Sequence, residues 1–347
     1  MPNLDGLTAV RFLAALWVFL FHFHLRIPLE LPYPAVRVIA NGALAMPVFF
    51  MLSGLVLGYR YRDNYTGFSS FFRARVARIY PAYLLGVILC VPFFPADLGT
   101  AALMVPVDLL LLQAWYPNLW SFWHHAGTWS ISVEFFLYAS FPLLLGITRL
   151  PTRTLLAVCA ACVVLASSWI PSLGVSASEP MPFPVFYSLP IYSLPTFAIG
   201  VALSELYRRG HKGHLGAVFL LLVVLGLAGQ YNTRYAALNF IVLPLVAVAL
   251  LGAANHRGPF VNRVSVYLGD ISYAFFVYQI PLLLALQKYL AQAKGWPVGL
   301  LFTAMLSLNL LLAAFSHHWL EPWGRRVIVR YWPSGPDGAG IRAHSQL

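Results

Sequence analysis

Residues 4–24 read LDGLTAVRFLAALWVFLFHFH, an apolar run the length of a membrane crossing with an arginine and a histidine set into it. A helix of about 20 apolar residues spans the hydrocarbon of a bilayer. The rest of the chain is of the same kind: of 347 residues, 60% are hydrophobic and 15% aromatic, while 10% are charged. A soluble domain carries about 25% charged residues. Too few polar side chains exist to cover such a chain in water, which excludes a soluble enzyme and a disordered protein. Nor is the opening run a signal peptide, since it lacks a basic leader and a small-residue cleavage site and contains Arg11 and His22. The expected fold is an all-α integral membrane protein.

Comparable runs recur at 38–58, 79–95, 129–147, 154–170, 188–206, 215–230, 236–253, 266–287 and 298–319, with the first at 7–25. The stretch 101–116 is shorter, broken by Pro106 and Asp108 and followed by Pro117. Lys and Arg resist translocation, so their distribution decides whether it crosses. With 101–116 uncrossed and the N-terminus inside, 16 Lys and Arg fall on cytoplasmic segments and 5 outside, with Arg11 in the first span. Letting 101–116 cross sends every later basic cluster to the wrong side. About ten transmembrane helices are therefore expected, with both termini cytoplasmic and 101–116 an outside or re-entrant element. Lys plus Arg exceed Asp plus Glu by 22 to 11, a net charge of +11. In a membrane protein this excess first holds cytoplasmic loops against anionic lipid, so no nucleic-acid partner is expected. The membrane domain is read as residues 1–326 and a short cytoplasmic tail as 327–347, Gly/Pro-rich and disordered from about 333.

Ionisable groups within a membrane cost at least about 2.5–3.5 kcal/mol near a helix centre, so each calls for a reason. Arg11 and His22 lie within about 20° of one helix face and about 16 Å apart along the axis. The stripe between them is Thr8, Arg11, Ala15, Val18, His22. Arg73, Arg75 and Arg78, in FFRARVARIYP ahead of the third run, oppose the dipole of a helix start and invite an anion such as a phosphate. They serve equally well as a topology signal. In HHAGTWSISVEFFLY (124–138), Glu134 stands one turn beyond Ser130, where a cationic or histidine partner would tune it. Glu321, in HHWLEPWGRR, either pairs locally with Arg325 or belongs to the site.

Other features read as structural. Cys159 and Cys162 lie mid-span, and with Cys90 suggest packing rather than metal or redox chemistry. His211, His214, His317 and His318 lack the further ligands of a metal site. Phosphate-binding glycine loops, nucleophile elbows and HExxH are absent.

These residues together resemble the bacterial membrane acyltransferase-3 family, the O-antigen and exopolysaccharide O-acetylases. The first run is similar to that family's first helix, with Arg11 and His22 separated by ten residues. VFFMLSGLVLGYRY (48–61) and RARVARIYPAY (73–83) resemble its second and third helices, with Arg75 and Arg78 on its Arg-x-x-Arg pair. Trp129, Ser130 and Glu134 match its Trp-Ser-x-x-x-Glu segment, and YLGDISYAFFVYQIP (267–281) and HWLEPWGRR (318–326) its last helices. The family's penultimate-helix motif often has a histidine where this chain has Gln279, and no SGNH-type esterase domain is expected after the last span.

The resemblance implies a ten-helix enzyme of the bacterial cytoplasmic (inner) membrane. Such an enzyme moves an acyl group, usually acetyl, from cytoplasmic acyl-CoA to a hydroxyl of a carbohydrate such as a cell-surface or exopolysaccharide unit. Acyl-CoA is then a co-substrate, with no permanently bound cofactor and no metal. In the family the first-helix histidine is regarded as catalytic and the arginines as near the donor. His22 suits the base, with Arg11 guiding the pantetheine arm and Glu134 orienting an imidazole or touching the acceptor. Arg75 and Arg78 suit the phosphates of CoA, with Trp129, Ser130 and Glu321 as further substrate contacts. An antibiotic-type glycoside is the alternative acceptor. A transporter or flippase is the rival class, but the two similar halves such proteins often show are not seen.

Overall fold

The computed structural model of the chain describes residues 4–93, 98–116, 128–172, 188–227, 235–289 and 295–332. Among these residues the regular structure is helical, without strands. The tail 333–347, for which disorder is expected, lies outside the described residues.

The long helices fall where the apolar runs put them: α1 (Asp5–His24), α3 (Ala45–Tyr61), α4 (Phe68–Cys90), α6 (Trp129–Leu144), α7 (Thr152–Ser172) and α8 (Leu194–Arg208), then α9 (Gly216–Leu227), α10 (Tyr235–Asn255), α11 (Arg263–Tyr289) and α12 (Val298–Phe315). Two short helices intervene, α2 (Tyr33–Ala40) and α5 (Leu98–Leu109), and α13 (Glu321–Tyr331) follows α12 through a π-helical turn at Ser316–Leu320. Among the described residues, seven helices are long and apolar enough to cross a membrane, and two shorter apolar ones accompany them. The protein is an all-α integral membrane protein.

α5 has 12 residues, about 18 Å of helix against a hydrocarbon core of about 30 Å, so it does not span. The chain turns back just after it, at Leu111 with φ of 55°. The carbonyl of Leu111 accepts from Ser132 Oγ on α6, which fixes the turn to the bundle. At the C-terminus the helical path Val298–Tyr331 has 34 residues, about 51 Å and longer than a crossing needs. Its last part packs back along α4, with Gly324 seated on Pro81 and Trp332 O accepting from Arg73 Nη1 at 2.9 Å.

Without a hydrophobic drive between helices in lipid, close backbone approach carries the packing. α3 and α8 meet through glycine: a Cβ on Gly200 would stand 2.0 Å from Met51 O, and one on Gly54 2.2 Å from Phe197 O. α1 and α11 meet where a Cβ on Gly269 would lie 2.0 Å from Thr8 O. Aromatic side chains continue that seam, with Phe275 5.5 Å from Phe12 and 5.6 Å from Phe19 between ring centroids.

One end of the bundle is tied by ion pairs around Glu205, which is 4% exposed. Arg209 Nε lies 2.9 Å from its Oε1, and Arg62 Nε lies 2.8 Å from its Oε2 in a pair not aligned as a hydrogen bond. Arg208 reaches Asp63 at 2.7 Å, and Arg209 also donates to Thr152 Oγ1 and Leu150 O at 2.9 and 2.6 Å. Basic clusters at the ends of α3 and α8 and at the start of α7 thus share one face, the face that charge assigns to the cytoplasm and that is called inner below. A cysteine at Gly210 should react with an impermeant thiol reagent only from the cytoplasm, and one at Gly99 only from outside. Labelling of both from the same side would overturn this orientation.

Candidate active site

A cavity of about 100 Å³ lies among α1, α3, α4, α6 and α11. Arg11, Arg75, Arg78, Ser130 and Glu134 line it, with Ser53, Tyr138, Ser272 and Tyr273 and an apolar wall that includes Phe49, Ile79 and Phe276. Five of the eight residues singled out from the sequence are therefore brought together, from three separate helices.

Each stands where its helix puts it. Arg11 lies two turns into α1, on the seam whose Ala15 and Val18 are buried above it. Ser130 and Glu134, four apart in the opening turns of α6, share its cavity face. The arginine pair needs a correction. Their run was expected to precede the third span, but α4 begins at Phe68, so Arg75 and Arg78 stand about two and three turns inside it. The helix dipole fades within a single turn, so it does not account for their position. What surrounds them does.

Three guanidinium groups share the cavity with a single lining carboxylate, Glu134. That carboxylate is held by hydroxyls: its Oε1 accepts from Ser53 Oγ at 3.2 Å and from Tyr138 Oη. The cationic or histidine partner expected for Glu134 makes no ion pair with it, since the ion pairs among the described residues gather at the inner rim. Arg75 Nη2 donates to Tyr61 Oη at 3.5 Å, and its guanidinium lies 5.8 Å from the ring centroids of Tyr61 and Tyr138 and 5.9 Å from that of Phe71. The buried Nε of Arg11 and of Arg75 has no acceptor among the described residues. Arg11 also feels Arg78 as a like charge. Asp270 and Glu134 offset that repulsion through space, but the three cations still outnumber these carboxylates, and an anion entering the cavity relieves the cost. Guanidinium forks are suited to phosphate oxygens.

His22, Trp129 and Glu321 do not line this cavity. His22 is 8% exposed, near the outer end of α1, with Nδ1 unpartnered among the described residues. Trp129 is buried at the start of α6. Glu321 forms no ion pair with Arg325; its Oε1 accepts from Ser316 Oγ at 3.4 Å, and Ser316 in turn accepts from Tyr278 Oη at 2.8 Å. It senses both Arg78 and Arg325 through space. His124 and His125, within the segment quoted for Glu134, lie outside the described residues.

Sequence reasoning missed Ser53, Tyr61 and Tyr138. Tyr138 follows Glu134 by one turn, and Ser53 is the lone hydroxyl in AMPVFFMLSGLVL, so both left a signal.

The acyltransferase-3 family model, described as an acyltransferase domain, matches residues 4–317. The chain belongs to this family. It is similar to Acyltransferase MdmB from Streptomyces mycarofaciens, 29% identical over 377 aligned residues that cover 97% of this chain and 96% of that protein. It is also similar to Putative acetyltransferase ORF330 of Acidianus two-tailed virus, 25% identical over 254 residues, 69% of this chain and 72% of the other. No solved structure matches. The protein is a multi-pass membrane acyltransferase, and the arginine cavity lies within the matched residues of that enzyme.

Proposed function

We propose that this acyltransferase takes an acyl group, acetyl in the simplest case, from cytoplasmic acyl-CoA and transfers it to a hydroxyl of a carbohydrate such as a cell-surface or exopolysaccharide unit, in a bacterial inner membrane. One observation carries the donor assignment: three guanidinium groups face one carboxylate in the inner cavity, two of them with a buried unpartnered nitrogen. Acyl-CoA is an anion whose phosphates suit Arg75 and Arg78, with Arg11 next along the pantetheine arm.

The transfer follows from the groups available. The acceptor hydroxyl gives its proton to His22 as its oxygen attacks the thioester carbonyl. The tetrahedral oxyanion needs hydrogen-bond donors beside the reacting carbonyl, while Arg11, about 16 Å inward of His22 along the helix axis, holds the donor's arm. Collapse breaks the C–S bond, the acyl group stays on the acceptor oxygen, and the thiolate takes the proton from His22 to leave as CoA. Glu134, held by Ser53 and Tyr138, fixes the negative side of the cavity's field so that the arginines do not face one another unopposed. Trp129, Ser130 and Glu321 act around these groups, Ser130 from the cavity wall and Glu321 through its charge on Arg78.

Arg75→Ala and Arg78→Ala should each weaken CoA binding by about 1.5–3 kcal/mol, roughly 10- to 150-fold in Kd, as loss of a charge-assisted hydrogen bond does. Calorimetry on the purified full chain reads this directly. Arg75→Lys should recover only part of the affinity, because an ammonium keeps the charge but not the planar contacts over Tyr61, Phe71 and Tyr138. Unchanged affinity in a correctly inserted double variant would return both arginines to a topological role.

A further inference from the structure

The stripes that line the arginine cavity continue past it into the outer half of the bundle. α1, α4 and α11 run parallel there: Gly269 meets Thr8 and Phe275 meets Phe19, while Tyr273 Oη donates to Ile79 O and Val277 packs on Gly86. On α11, Ser272 and Phe276 line the cavity, and Gln279 follows them at seven and three residues. Seven residues return to within about 20° of the same face, so Gln279 stands directly outward of Ser272. His22 stands over Arg11 in the same way. On α4, Tyr83 is one turn beyond the lining residue Ile79. Its hydroxyl donates to Asp108 O at 2.7 Å and accepts from Gln113 Nε2 at 3.1 Å. That amide nitrogen also donates to Thr128 O at 3.0 Å, at the entrance to α6.

This outer layer is polar, buried and incompletely bonded. Gln113 and Gln279 are both 0% exposed. Gln279 Nε2 donates to Phe276 O at 2.9 Å, yet Oε1 of Gln279, Oε1 of Gln113 and Nδ1 of His22 are all buried without a partner among the described residues. A stranded polar atom costs about 1–3 kcal/mol. Two of these three are amide oxygens, which only accept. A ligand that completes the layer would bring hydrogen-bond donors to the two amide oxygens.

We propose that Gln113 and Gln279, together with His22, form a binding site for a hydroxyl-rich acceptor, outward of the arginine cavity and distinct from it. The proposal rests on the acyl-transfer reading above and extends it to the acceptor side. The two amide oxygens accept from ligand hydroxyls and hold a further hydroxyl against His22, the group that removes its proton. Donor and acceptor then enter from opposite faces and meet on the seam of α1.

Thiol labelling tests this without knowledge of the natural acceptor. Cys90, Cys159 and Cys162 are replaced by Ser in the full chain, and Gln279→Cys, Gln113→Cys or, as a control, Val277→Cys is introduced. Val277 is as buried as the two glutamines but packs on Gly86 in an apolar helix contact, without an orphaned polar atom. The probe is methanethiosulfonate ethylsulfonate, applied to protein in nanodiscs. Positions 279 and 113 should be modified under conditions that leave 277 intact, and a mixture of methyl glucoside, galactoside and mannoside should slow that modification. In parallel, Gln279→Leu should leave CoA affinity unchanged. The proposal is overturned if 279 and 113 are as unreactive as 277, if the glycosides give no protection, or if Gln279→Leu weakens CoA as much as Arg75→Ala does. Failure of the donor reading would show separately, as CoA affinity indifferent to Arg75 and Arg78.

Discussion

His22→Ala should lower kcat by about 10²–10⁴-fold, the usual contribution of a positioned general base, while CoA affinity and the folded state persist. The side chain is buried, and its Nδ1 holds no hydrogen bond among the described residues, so its removal breaks none of the fold's own bonds at that atom. The arginine cavity does not reach it, and the buried Ala15 and Val18 lie between Arg11 and His22 on the same seam. His24 is the matched control. It lies about 200° further round the helix, and its Nδ1 accepts from the Leu29 amide at 2.9 Å, fixing the chain as it leaves α1. His24→Ala should therefore cost about 0.5–1.5 kcal/mol of stability for the lost bond and keep its turnover. The two variants should separate cleanly, one losing chemistry and the other stability. Near-normal turnover in His22→Ala beside an inactive His24→Ala would refute the assignment of the base.

Glu205→Ala should destabilise the protein by about 3 kcal/mol, at the low end of the cost of breaking a buried ion pair. The low end applies because Arg62, Arg208 and Arg209 are 28–32% exposed and can turn partly to water once the carboxylate is gone. What remains is a crowd of like charges at the joint of α3, α7 and α8. Glu205→Gln, which keeps the acceptor oxygen but not the charge, should lose less. Thermal unfolding of the purified variants in detergent measures this, and CoA affinity should be unaffected because the cluster lies outside the arginine cavity. A melting temperature equal to that of the parent protein would mean the inner rim is not held by these pairs.

The helices were legible because a bilayer asks for long apolar runs, and these stand out at α1, α10 and α11 alike. Their ends were not. α4 starts eleven residues before its apolar run, because FSSFFRARVAR carries its charges into the bundle and a hydropathy reading stops at the first of them. α13 was unreadable for the same reason, carrying three arginines in EPWGRRVIVRY. In the site, ionised groups announced themselves, since Arg11, Arg75, Arg78 and Glu134 are costly inside a membrane. Hydroxyls did not. A Ser in an apolar helix can bond to its own backbone and a Tyr can lie with its ring among apolar neighbours, so Ser53 and Tyr138 become informative only when Glu134 is seen between them. Glu205 was overlooked for a related reason: the arginines around it already had an explanation in topology, so Arg208 and Arg209 at i+3 and i+4 drew no attention to it, and Arg62, 143 residues away, leaves no local pattern.

Acceptor-dependent release of CoA tests the central claim most directly. The purified full chain in nanodiscs is given acetyl-CoA labelled in the acetyl group, with and without envelope glycans from the producing cell, and free CoA and acetylated glycan are counted together. The account predicts that both appear in equal amounts only when glycan is present, and that both vanish in the Arg75→Ala/Arg78→Ala double variant. Acetyl transfer that proceeds undiminished in that variant, or glycan that crosses the membrane without acquiring acetyl groups, would contradict it.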